Sequence, residues 1–289
     1  MNQTTNQKMG EGTETTLRPH VKRGFRAILS KYLEIYRVQI KNNFVREAVY
    51  RTNFLTTVIV DLVWMGVQVS LFAVIYSATD NLAGWTKDQV YFFLGIFFTS
   101  DAVYSTLFNR NFWQFSDLVN KGELDILLTK PVHPLFLALT RFISLTNWLN
   151  VIVGMSIAIK YADAAGFAGG WRWLLILPWI LIGNLTAVLL RFAFAVWVFW
   201  TDRSWAITRL YFGFFTLADK PDPIFPTAIR YLLLTALPFA FIGSVPARAL
   251  LHGLHLSEYA AIAAVIVGFF IFDRAMWHKG LARYQSASS

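Results

Sequence analysis

The chain has 289 residues, of which 56% are hydrophobic and 15% charged, a balance too apolar for an ordinary soluble domain. It contains no cysteine, which excludes disulfides, thiolate metal sites and cysteine nucleophiles. The net charge of +9 would suit nucleic acid, but Lys and Arg gather in the amino-terminal segment, as expected of a flank beside anionic lipid, and no nucleic-acid partner is expected.

The apolar residues come in long blocks, the pattern of an all-α, polytopic membrane protein, and the short alternating segments of a β-barrel are absent. Residues 1–21 are polar and read as a disordered tail. They lack the basic start and apolar core of a cleavable signal, so the first span is expected to direct insertion. Residues 22–46 read as an amphipathic helix lying in the headgroup plane. Phe25, Ile28, Leu29, Tyr32, Leu33, Tyr36, Ile40 and Phe44 form its apolar stripe, with Lys22, Arg23, Arg26, Lys31, Arg37 and Lys41 elsewhere. A first span follows over residues 52–76, a turn over 78–88 and a second span over 89–108.

Residues 109–134, NRNFWQFSDLVNKGELDILLTKPVHP, interrupt the apolar blocks with a polar, charged stretch. Phe112, Phe115, Leu118 and Val119 recur at helical spacing, with Gln114, Asp117 and Lys121 turned away. Gly122 suits the end of that helix, Glu123 and Asp125 flank the start of a second over 124–128, and Pro131 marks a fresh start after Lys130. Such a segment is either an ordinary interfacial loop or a docking surface, in which case Phe112, Phe115 and Leu118 are the apolar anchors.

A third span is expected over residues 135–159, a fourth over 171–200 and a fifth, short one over 205–217, after a polar turn at 201–204. Pro221, Pro223 and Pro226 forbid a continuous helix over 218–226. The block 225–251 is broken at Pro238 and Pro246 and reads either as a span or as a re-entrant hairpin. A last span runs over 258–277, ahead of a tail at 284–289. Arg274, Lys279 and Arg283 belong on the same side of the membrane as the basic amino-terminal segment. An even number of crossings follows, giving about six spans with residues 225–251 re-entrant.

Asp61, Asp101 and Arg191 stand inside apolar spans and must face the bundle or a wet cavity. They read as a buried ion-pair network, Arg191 meeting Asp101 or Asp61, or as part of a substrate or proton path. His252 and His255 have helical spacing but no ligand set with them, and no metal site is expected. No stretch has the Gly-rich turn and Lys that hold nucleotide phosphates, so this chain is not expected to hydrolyse ATP.

Gly122-Glu123-Leu124-Asp125, then Leu127-Leu128, then Lys130-Pro131-Val132, resembles a signature of the permease subunits of ATP-binding-cassette type 2 exporters, in a branch of bacterial transport-system permeases. The likeness extends over residues 23–283, taken as one permease domain. It implies an elbow helix before the first span and a cytoplasmic coupling helix between spans two and three. That helix would dock on a separate cassette ATPase through Phe112, Phe115, Leu118, Gly122, Glu123, Asp125, Lys130 and Pro131. It further implies export, an outer re-entrant hairpin, a second permease of the same or a similar chain, and surrounding membrane lipid. ATP and Mg would be held by the partner, with no cofactor on this chain. Both termini would be cytoplasmic, in a bacterial inner membrane. The competing class is an integral-membrane lipid-modifying enzyme, which needs an acid, base or metal cluster at one depth, and only Asp61, Asp101 and Arg191 approach one.

Overall fold

A computed structural model describes residues 25–49, 51–201 and 204–284. The expected tail over 1–21, the first residues of the elbow helix, Asp202 and Arg203 of the polar turn, and residues 285–289 lie outside the described residues. Regular structure among the described residues is helical throughout, as composition and pattern require.

Helix α1 (Phe25–Val49) leads into α2 (Arg51–Ala78). Helix α2 leaves Leu55, Ile59, Val63 and Val67 uncovered, so its outer face suits lipid rather than water. A tight turn follows, in which Leu82 and Trp85 pair their backbones and Tyr76 donates its hydroxyl to the Trp85 carbonyl at 2.8 Å. Thr86 then caps α3 (Lys87–Tyr104) through a capping box with Gln89.

Helix α3 is the central post, buried on every side from Val90 to Ser100, as a helix apolar all round must be. Helix α7 (Trp148–Ala162) runs antiparallel to it, and glycines let the two backbones close. A Cβ added at Gly95 would stand 2.4 Å from the Ala158 backbone nitrogen, and one at Gly154 would stand 2.7 Å from that of Thr99. Small residues at such a seam replace the hydrophobic drive that lipid does not supply. On its other side α3 meets α8 (Ile176–Ala195), whose Asn184 amide donates to the Ser100 carbonyl at 3.2 Å. Helix α12 (Leu256–Arg283) runs parallel to α8, with Trp179 on Tyr259 at one end and Phe192 on Trp277 at the other.

Three expectations change here. First, α3 does not stop at Phe108. A π-helical turn (Ser105–Asn109) joins it to α4 (Arg110–Asn120) in one run of 34 residues. At 1.5 Å per residue this is about 51 Å, well beyond a hydrocarbon core of about 30 Å. The helix expected in the 109–134 loop is therefore the projecting end of the second span.

Second, the third span is broken. Helix α6 (Pro134–Thr140) and the run Leu145–Ala162 meet at 59°. The backbone groups freed at the break find partners on the α3–α4 run: Ser144 N–H donates to the Thr106 carbonyl at 2.8 Å, and Asn111 takes both backbone groups of Phe142, at 2.7 and 2.8 Å.

Third, the described residues contain four helices long and apolar enough to cross a membrane, or five with the bent pair, rather than six. Helix α9 (Ser204–Phe215) has 12 residues, about 18 Å, and falls short alone. Its end ring, Phe215, lies on Phe97, well inside the bundle on α3, and on Phe239. There a hairpin coming from the other direction meets it. Helix α10 (Thr227–Leu234) leads to a turn at Phe239–Ile242, and α11 (Ser244–His252) returns. Residues 225–251 thus form a pair of short helices, and α9 and the hairpin share one column of the bundle.

Candidate functional site

The projecting end of the α3–α4 run is built by α4, α5 (Leu124–Leu128), α6, α1 and the end of α12. Gly122, at φ 73°, ends α4 as expected, and the chain turns directly into α5. Glu123 stands exposed at the start of α5 without capping it, and Asp125 lies in the first turn, where a carboxylate suits the helix dipole. Asp125 also neighbours the Tyr284 hydroxyl, which burial first and the Asp125 charge second push above the ordinary tyrosine value. On the outer side of α4, Asp117 and Lys121 pair at 3.0 Å, and this hydrogen bond raises the Lys121 ammonium above its usual value.

The apolar stripe of α4 faces inward, contrary to its expected role as the docking anchor. Phe112, Phe115 and Leu118 are 2%, 1% and 7% exposed. Phe115 is wedged among Phe192 of α8, Trp277 of α12 and Phe199, with ring centroids 5.8 to 6.5 Å apart. The reason is the continuous run: a helix that extends a span keeps its apolar side in register with the core. What the end presents outward is Ile126 and Leu128, 59% and 40% exposed, with Glu123, Lys130 and Pro131 around them. Between α4 and α6 lies a polar cleft of about 260 Å³, lined by Gln114, Asp117, Lys121, Glu123 and Arg141.

Helix α1 is clamped along this end. Lys31 Nζ donates to the Pro131 carbonyl at 2.5 Å, and the His133 N–H donates to the Tyr32 hydroxyl at 3.0 Å. Tyr32 packs edge-on against Phe136, 4.7 Å between centroids. Further along, Asn43 donates to the Arg141 carbonyl at 3.1 Å and Arg46 sits over the Phe142 ring. Residues 32, 39, 43 and 46 share one helical face, while Ile28, Leu29, Leu33 and Phe44 are exposed, as an interfacial helix requires.

The expected pairing of Arg191 with Asp101 or Asp61 does not form. Arg191, 1% exposed, is boxed by rings: its guanidinium lies 4.4 Å from the Tyr211 ring, 5.0 Å from Phe212 and 6.0 Å from Trp113. It makes no ion pair among the described residues. Asp61 instead accepts from the Asn150 amide at 2.6 Å, with Asp101 as its electrostatic neighbour. Arg191 on α8 turns toward α4 and α9, which places aromatic rings where a carboxylate was expected. The three charges are therefore not gathered into one cluster.

Sequence reasoning missed the buried carboxylates of Asp219, Asp222 and Asp273, of which Asp222 is the most heavily bonded. Asp222, 1% exposed, takes Arg230 Nε at 2.7 Å, Arg248 Nη1 at 3.3 Å and the Ser244 hydroxyl, while its own N–H donates to Ser244 Oγ at 2.9 Å. Arg248 continues to Glu258 at 3.2 Å. The segment after α9, both hairpin helices and α12 are tied at one group. The available signal was an Asp between two prolines, followed by two arginines inside apolar blocks.

Among known proteins, residues 62–288 match the family model described as ABC-2 family transporter protein. No curated protein and no solved structure matches the chain.

Proposed function

Because this chain belongs to the ABC-2 transporter family, matching it over more than two thirds of its length, we propose that it is the membrane-spanning permease subunit of an ATP-binding-cassette exporter that works with a separate ATPase chain. The permease lines the translocation path with a second permease, the same chain or a similar one. ATP and Mg are held by the ATPase. Both termini and the projecting α4–α5 end face the cytoplasm of a bacterial inner membrane.

The observation that carries the coupling reading is the construction of that end. Its outer surface, Ile126 and Leu128 with Glu123 and Lys130, is left uncovered by the described residues, while its inner surface is wedged by Phe115 against α8 and α12. A push on α5 therefore passes along two routes. One runs through Phe115 to Phe192 and Trp277. The other runs through residues 131–142 to α1, which the Lys31, Tyr32 and Asn43 contacts hold to that segment. Closure of the ATPases on ATP would shift the permease pair from an inward-open to an outward-open arrangement.

The test is copurification of the ATPase encoded with this chain, alongside ATP hydrolysis in reconstituted membranes. Ile126→Asp with Leu128→Asp should abolish association while leaving insertion and folded yield unchanged, since neither side chain is buried. Full ATPase binding and stimulation with that double variant would overturn the docking assignment.

A further inference from the structure

A cavity of about 270 Å³ lies between α6, α8 and α12, close to the projecting end but separate from the α4–α5 surface. Its walls are apolar: Leu135 and Leu139 from α6, Val188, Leu189 and Phe192 from α8, and Phe270 and Trp277 from α12. Into this lining comes one carboxylate. Asp273 is 5% exposed, and neither of its oxygens has a hydrogen-bond partner among the described residues. The rim is cationic or basic, with Arg274, His278 and His133 all exposed.

A buried carboxylate with both oxygens unpartnered is costly, so a cavity holding one calls for a donor or a cation beyond the described residues. The surrounding walls say what carries it. Water alone would fit the carboxylate but not the apolar lining, whereas an amphiphile satisfies both. Val267, Phe270 and Ile271, on the preceding turns of α12, are 54%, 58% and 61% exposed and form an apolar track leading to the carboxylate. Asp273 and Arg274 are consecutive on α12 and both line this cavity, so one ligand can reach carboxylate and guanidinium together. A headgroup whose ammonium and phosphate lie side by side meets both at once.

We propose that this cavity is a binding site for an aminophospholipid, its primary ammonium on Asp273, its phosphate at Arg274 with His133 and His278 alongside, and its acyl chains on the Phe270–Ile271 track. The volume is somewhat below the roughly 300–1,000 Å³ of ligand pockets, which suits a headgroup whose tails stay in the bilayer. This site does not depend on the docking reading: it shares Phe192, Trp277 and residues 133–139 with the coupling routes but none of the α5 surface, and would persist if no ATPase bound α5.

The experiment is native mass spectrometry of the protein released from nanodiscs of equimolar phosphatidylethanolamine and phosphatidylglycerol. Wild type should retain phosphatidylethanolamine at least fivefold over phosphatidylglycerol. Asp273→Asn should remove that preference, and Leu139→Trp, which fills the cavity but keeps the carboxylate, should lower total retention. Equal retention of the two lipids by wild type, or an unchanged preference in Asp273→Asn, overturns the proposal. So does retention of O-phosphoethanolamine by the delipidated protein with no retention of phosphatidylethanolamine, which would assign the site to a soluble ligand. Loss of a copurifying second copy in Asp273→Asn, with lipid retention unchanged, overturns it in favour of a subunit contact.

Discussion

A carboxylate with no water around it is stable only when donors surround it, and Asp222 meets that condition through two arginines and a serine. Removing it leaves Arg248 reaching into the bundle with Glu258 alone. Asp222→Ala should cost about 3–5 kcal/mol, read as lost folded yield and earlier thermal unfolding in detergent. Arg191 obeys a different rule, since its charge is met by ring faces rather than an anion. Asp101 and Arg191 share Tyr104 and Tyr211 as neighbours, so Asp101→Asn and Arg191→Gln should couple in thermal unfolding by about 1 kcal/mol at most. A coupling several times larger would mean that the two do form a pair. Neither feature was visible locally. Asp222 stands between Pro221 and Pro223, where any reader of sequence sees a turn, and its partners lie 8, 22 and 26 positions further on. Arg191 looked like half of an ion pair because residue type shows charge but not which way a helix is rotated.

Among the elements, α4 shows how far periodicity reaches. The spacing of Phe112, Phe115, Leu118 and Val119 made the helix legible, as Gly122 did its end, but a stripe does not say what it meets. It meets the bundle because the helix continues α3 through the π turn. Phe115→Ala should accordingly cost about 3–5 kcal/mol of stability rather than only weaken a partner's grip. The π turn carries one residue more than an α-helix of equal rise, so deleting Leu107 should rotate α4 by about 100° and turn Asn111 away from Phe142. Asn111→Ala should lower folded yield in the full-length chain and have little further effect in the deletion. The break of the third span had a sequence trace, Arg141, Ser144, Thr146 and Asn147 inside an apolar block, which block hydropathy averages away. The hairpin at 225–251 was legible for the opposite reason: Pro238 and Pro246 cannot be averaged away.

At the scale of the whole molecule, sidedness is the property to test. Cysteines introduced at Asn81 and Ala83, in the α2–α3 turn, should react with an impermeant reagent in intact cells, while one at Lys121 should react only after the membrane is opened. Labelling at Lys121 from outside would reverse the proposed orientation. By length and composition alone, four or five helices of the described residues qualify as spans where about six are expected, and the difference falls at α9, which is short and meets the hairpin at Phe215 and Phe239. A continuous helix resists axial shear with its hydrogen-bond ladder. A column made of two stacked pieces has no ladder across its joint, only aromatic faces and the Asp222 cluster that ties the connecting segment to the hairpin. A shift at that joint would unwind no turn of helix, but it would have to carry the Asp222 cluster with it.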